Sequence, residues 1–130
     1  MIKDTVLQQR YEKEKMLKGN YVEREKGSNA KKWLQTDLIK VITGPRRAGK
    51  SVFAFMLLKE VPFMYFNFDD ESIRSRNAFD TDELIKSLHE VYGQSRVILF
   101  DEIQNLPTWE LFVNRLQREG YNLIITGSNS

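Results

Sequence analysis

Apolar positions along the chain change period in an ordered way, and that order predicts the architecture. From Ile2 to Lys18 the residues are mostly Lys, Glu, Arg and Gln, with sparse apolar positions such as Val6, Leu7 and Tyr11. This predicts an exposed helix stopped at Gly19 and Asn20. The charged stretch from Tyr21 to Lys32, punctuated by Gly27, Ser28 and Asn29, reads as a connector, so residues 1–32 are assigned to an N-terminal helix and connector and residues 33–130 to the body. Leu38 to Thr43 is β-branched and apolar, the mark of a buried strand. After a break from Gly44 to Lys50, Val52, Phe53, Phe55, Met56, Leu57 and Leu58 crowd most faces of a helix that runs to about Glu60. An aromatic strand follows from Phe63 to Phe68 and ends at Asp69 and Asp70. Asp80 with Glu83 has the form of a capping box, and Leu84, Ile85, Leu88, Val91 and Tyr92 fall at helical spacing up to Gly93. Arg96 to Phe100 makes a third strand. Pro107 opens a helix with the stripe Trp109, Phe112, Val113 and Leu116 and Gly120 as its C-cap, and Leu123 to Thr126 makes a fourth strand. Strands separated by helices imply right-handed βαβ units, hence an α/β fold with a parallel sheet covered on both faces.

Composition narrows the function classes without choosing among them. With 130 residues, 41% of them hydrophobic, the chain can build one core. The net charge of +2 does not call for a polyanionic partner, so nucleic-acid binding is unsupported. The absence of cysteine excludes a disulfide framework and thiolate metal sites and fits a reducing compartment. The N-terminus lacks the pattern of a signal peptide, and no stretch approaches the roughly 20 apolar residues that cross a bilayer. A soluble, cytoplasmic chain with no membrane partner is expected. The lone His89 reads as a surface residue, and Tyr21, Val22 and Trp33 stand where an adenine ring could stack, although core packing accounts for them equally.

Chemistry enters at the first break. Gly44-Pro45-Arg46-Arg47-Ala48-Gly49-Lys50-Ser51 matches G-x-x-x-x-G-K-[S/T], with Val52 continuing into the helix. The two glycines allow backbone angles and a close approach that a Cβ would forbid, so successive N–H groups can turn inward around a phosphate. Together with the N-terminus of the following helix they form a pocket for negative charge. Lys50 supplies a mobile cation for the β- and γ-phosphates and Ser51 a hydroxyl for magnesium, while Arg46 and Arg47 add positive potential. A second element must hold the metal and activate water, and Asp101-Glu102 directly after Val97-Ile98-Leu99-Phe100 provides it. Ligands of open parallel sheets sit beyond the C-terminal strand ends, so Asp101 is the expected magnesium ligand, through water, and Glu102 the general base. At the end of the fourth strand, Ser128 or Asn129 is placed to position the attacking water.

Taken together, Tyr21-Val22-Glu23-Arg24-Glu25, Ile42 to Ser51, Phe100-Asp101-Glu102-Ile103-Gln104 with Trp109, and Ile125-Thr126-Gly127-Ser128 resemble the prokaryotic AAA-like ATPase family from about residue 21 onward. The resemblance implies a three-layer P-loop NTPase fold whose fourth strand lies between the first and the third. It also implies Asp101 and Glu102 as the Walker B pair and Ser128 or Asn129 as the sensor. Similar members continue into a fifth strand, an arginine-bearing segment and a C-terminal domain, so the core is expected to be incomplete at its C-terminus, with the first strand an exposed edge open to self-association or a protein partner. The expected function is binding of ATP with Mg2+ and hydrolysis to ADP and phosphate. The alternatives are a nucleotide-binding interaction module without turnover of its own and a P-loop kinase. The water-activating carboxylate ranks hydrolysis above the kinase.

Overall fold

The computed structural model describes residues 2–19, 35–36, 38–45, 49–71 and 79–128. Helix α1 (Ile2–Leu17) is followed by β1 (Lys40–Gly44), α2 (Lys50–Leu58), β2 (Met64–Asn67), α3 (Thr81–Tyr92), β3 (Val97–Asp101), a 3₁₀ turn (Ile103–Asn105), α4 (Trp109–Arg118) and β4 (Asn122–Ser128). The connector, Trp33, Arg46, Arg47, Ala48 and Asn129 lie outside the described residues.

All strand pairs are parallel and the order is β1-β4-β3-β2, which puts the fourth strand between the first and the third as expected. The register sets Gly44 beside Ser128 and Asn67 beside Asp101, so the C-terminal strand ends form one rim. Alternation along the strands divides the core. Ile98 and Phe100 of β3 join Phe66, Leu123 and Ile125 under α1, α3 and α4, whereas Leu99, Ile124 and Tyr65 face Ala54, Phe55 and Leu58 of α2. Burial of each large apolar side chain contributes roughly 1.5–3 kcal/mol, and with both faces covered the central strands read as continuous apolar runs.

The helix termini follow local chemistry. Asp80 Oδ1 accepts the N–H groups of Asp82 and Glu83, at 3.0 and 3.1 Å, and so caps α3. At its other end Gly93, at φ 85°, donates its N–H to His89 O. His89 itself is not a free surface residue: its ring spans Gly93 O and the Tyr121 hydroxyl, at 3.0 and 2.6 Å. Helix α4 begins at Trp109 rather than at Pro107, behind Thr108, whose φ of 58° is left-handed. It ends with Gly120 N–H on Gln117 O and Tyr121 N–H on Leu116 O, a glycine-terminated C-cap.

Helix α1 departs from the expectation of an exposed helix. Ile2, Val6, Gln9 and Lys13 are buried on one stripe, while Leu7 and Tyr11 face solvent. The stripe lies along the edge of β2. The Gln9 amide accepts Asn67 N–H at 2.8 Å and donates to Asn67 O at 3.0 Å, as a neighbouring strand would, and Lys13 Nζ donates to Phe63 O at 2.5 Å. An edge strand exposes unpaired backbone groups, and these two side chains satisfy some of them. Half of the buried stripe is polar, so a hydrophobic period does not reveal it.

Two stability measurements follow. A β-branched residue in the left-handed region is strained by about 1–2 kcal/mol, whereas Asn tolerates it and caps helices well. Thr108→Asn should therefore stabilise the chain by about 1 kcal/mol, which a thermal melt reads as a rise of about 4 °C. Burial lowers the Lys13 pKa from 10.5 to about 8. Between about pH 8 and 10.5 the unfolded chain keeps a proton there that the folded chain has lost, so this group's destabilising contribution fades as pH rises. The urea midpoint of the parent should rise more between pH 7.5 and 9.5 than that of Lys13→Met.

Candidate nucleotide site

The C-terminal rim gathers most of the polar residues singled out above. Gly49, exposed and at φ 82°, precedes α2, and its backbone angle is one that a residue with a side chain rarely adopts. Lys50 and Ser51 are the first two residues of that helix, and Val52 follows, half-buried. Lys50 is 7% exposed. Its Nζ donates to Pro45 O and Ser128 Oγ, both at 3.1 Å, and lies 3.6 Å from a Glu102 carboxylate oxygen. Gly44 and Pro45 close the β1 side of the rim.

Asp101 ends β3 and is 2% exposed. Three hydroxyl groups from three different elements donate to its carboxylate. Ser51 of α2 and Tyr65 of β2 reach Oδ2 at 2.5 and 2.9 Å, and Thr126 of β4 bonds to Oδ1. Burial first, and then the neighbouring Asp101 charge, push the Tyr65 phenol well above its usual pKa, so it remains a donor.

Glu102 turns the chain away from the strand in a left-handed conformation, φ 53° and ψ 51°. Such a backbone costs a residue with a side chain about 1–2 kcal/mol. It is held by the Glu102 N–H donating to Thr126 Oγ1 at 2.9 Å, so the Thr126 hydroxyl bonds both acidic residues. The turn brings the Glu102 side chain back over the rim, where Oε1 accepts from Ser128 Oγ at 2.8 Å and from Gln104 Nε2 at 2.9 Å. A Cβ at position 127 would stand 3.2 Å from Gln104 Oε1, so a side chain there would press on the Gln104 amide.

The structure thus brings Lys50, Ser51, Asp101, Glu102 and Ser128 into one hydrogen-bonded cluster between β1 and β3. Tyr65, Thr126 and Gln104 belong to the same cluster and were not assigned roles by sequence. Their signals are faint: the one hydroxyl in an aromatic strand, a threonine at a strand end, and an amide two residues after the acidic pair. A cavity of about 550 Å³ lies elsewhere, among Arg96, Arg118, Tyr121 and Asn122 at the N-terminal strand ends. Parallel sheets bind ligands at the opposite end, so that cavity does not compete with the rim.

Comparison with known proteins adds a family to this geometry. The model of a family described as "AAA domain" matches residues 36–130. The chain belongs to that AAA domain family. An AAA domain has nucleotide-binding, ATPase-like character. Among curated relatives, an uncharacterized protein of Methanocaldococcus jannaschii is 39% identical over 95 residues, covering 71% of this chain and 21% of the relative. An uncharacterized protein of Haemophilus influenzae is 34% identical over 106 residues, covering 73% of this chain and 26% of the relative. The chain therefore spans about a fifth to a quarter of the length of these relatives. No solved structure matches it at a significant level. No helix among the described residues is long and apolar enough to cross a membrane.

The Thr126 hydroxyl serves a buried carboxylate and a part-buried N–H, and leaving such groups unpaired costs about 1–3 kcal/mol. Thr126→Val, equal in size, should lower the unfolding free energy by about 2 kcal/mol in urea titration. Thr126→Ser should cost less than half as much.

Proposed function

We propose that this AAA domain binds ATP with Mg2+ at the rim between Gly44 and Ser51 and hydrolyses it to ADP and phosphate. The observation that carries this reading is the convergence of one buried ammonium, one hydroxyl and two carboxylates at the mouth of a parallel sheet: Lys50, Ser51, Asp101 and Glu102. In the proposal the backbone N–H groups of Gly44 and of Arg46 to Val52, Pro45 having none, bind the phosphates, and Lys50 neutralises their charge.

The donor set suits magnesium. The Ser51 hydroxyl and the Asp101 carboxylate are hard oxygen donors placed 2.5 Å apart, and such an ion takes few protein ligands and completes its shell with phosphate oxygens and water. When bound, the ion neutralises charge developing on the phosphates. Glu102 accepts the proton of a water as its oxygen bonds to the γ-phosphorus and the bond to the β-phosphate oxygen breaks, releasing ADP. Ser128, with Asn129 next to it, positions that water, and Lys50 stays with the phosphates throughout.

One observation favours a second reading. The Glu102 carboxylate is engaged by Ser128, Gln104 and Lys50, so a domain that binds nucleotide and turns it over only when another part of the protein frees Glu102 fits the same geometry. This would be an interaction module gated by its partner, or by a second copy.

Titration with fluorescent ATP and a phosphate-release assay test both readings. Lys50→Ala should weaken ATP binding by about tenfold or more, the value of one lost charge-assisted contact. Glu102→Gln should bind ATP as the parent does but release phosphate about 100-fold more slowly, as expected for loss of a general base. Unchanged binding by Lys50→Ala contradicts the site, and unchanged release by Glu102→Gln contradicts the base. Tight binding with no release by the parent selects the gated module.

A further inference from the structure

We propose that Tyr65 is a positioning residue for the metal site: its phenol holds the Asp101 carboxylate in the orientation that receives magnesium. The inference rests on the proposed nucleotide site and goes beyond the loop and the acidic pair, which lie on other elements.

The geometry is specific. In the parallel register Asp101 stands beside Asn67, and Tyr65 stands beside Leu99, so Tyr65 reaches Asp101 along the diagonal. Diagonal neighbours on one sheet face are about 7–8 Å apart, a distance that a long side chain crosses and a short one does not. Among the aromatic residues from Phe63 to Phe68, Tyr65 carries the only hydroxyl, and it occupies the face that holds Asp101. The ring is fixed 5.1 Å from that of Phe55 and the residue is 6% exposed, so the phenol has little freedom to point elsewhere.

The partition of bonds on Asp101 gives the phenol its role. Oδ2 accepts from both Ser51 and Tyr65, and Oδ1 from Thr126. An ionised carboxylate has about four acceptor positions, and Ser51 is the donor that the proposed metal would claim for itself. Once the Ser51 hydroxyl turns to the ion, Tyr65 is the donor left on Oδ2 among the described residues, and Thr126 remains on Oδ1. The two donors on β2 and β4 flank the carboxylate and fix its plane, so Oδ2 can meet a metal-bound water without a rotational search. Partners behind metal ligands typically change metal affinity by about 10–100-fold when removed.

The test uses Tyr65→Phe, which removes one oxygen, and measures the Mg2+ concentration that half-saturates the enhancement of ATP binding. ATP affinity is measured in parallel in EDTA. The expected result is about a tenfold higher Mg2+ requirement, with affinity in EDTA unchanged. A merely packed tyrosine would lower the melting temperature and leave the Mg2+ requirement alone. Asp101→Asn and the double variant complete a cycle, and the tyrosine change should have no further effect on the Mg2+ requirement once Asp101 is altered. In the parent, the Tyr65 13Cζ resonance should shift on adding Mg2+ to the ATP-bound chain, a readout that does not depend on the variant folding. A Mg2+ requirement equal to the parent's, or an unmoved resonance, overturns the inference. Absence of Mg2+-dependent ATP binding in the parent would instead overturn the proposed function.

Discussion

A carboxylate almost wholly withdrawn from water has to be given hydrogen-bond donors, and the arrangement of this fold around Asp101 follows from that requirement. An unpaired buried charge is costly, and here hydroxyls from α2, β2 and β4 converge on the end of β3. Each donor depends on a larger feature. Thr126 needs β4 beside β3, Tyr65 needs the β2 register, and Ser51 needs α2 to start where the glycine-rich loop ends. The strand order β1-β4-β3-β2 therefore does more than build a core, because it brings the loop after β1 and the acids after β3 to either side of β4.

The two edges of the sheet are treated differently. At β2, α1 lays a half-polar stripe against the strand, and Gln9 and Lys13 bond to backbone groups that a further strand would otherwise pair. Lys13 also sits 3.8 Å over the Phe63 ring, so burial of its ammonium is partly offset by that aromatic face. At β1, Val41 is 55% exposed and Leu38 is 70% exposed, and β4 is its neighbour in the sheet. The candidate site lies between these edges, on the rim of the two central strands and α2.

Much of this was legible in the sequence because it is local. Phe63 to Phe68 and Arg96 to Phe100 are apolar runs that the structure buries as strands, and Gly44 to Ser51 carries its own chemical logic in its spacing. Leu38 to Thr43, expected to be buried, instead gives a strand with Val41 and Thr43 exposed, because β1 pairs with β4 and neither of these side chains is covered among the described residues. The fourth strand was located but cut short, since Gly127 and Ser128 look like a turn and extend as strand only because β1 pairs with them. What sequence did not disclose is side-chain chemistry between elements distant in the chain. Tyr65 lies 36 residues from Asp101 and Gln9 lies 58 from Asn67, and neither has a periodic signature. The α1 stripe failed for the same reason, because Gln9 and Lys13 are buried for their hydrogen bonds and not for their hydropathy.

In the proposed function the Ser51–Asp101 contact marks a place for a metal ion bound with a nucleoside triphosphate. A crystal structure with Mg2+ and a non-hydrolysable ATP analogue tests it most directly. The expected result is phosphates against Gly49 and Lys50, the Ser51 hydroxyl on the ion and no longer on Asp101, and Asp101 still held by Tyr65 and Thr126. Nucleotide bound away from this rim, or Ser51 still bonded to Asp101 with the analogue in place, would contradict it.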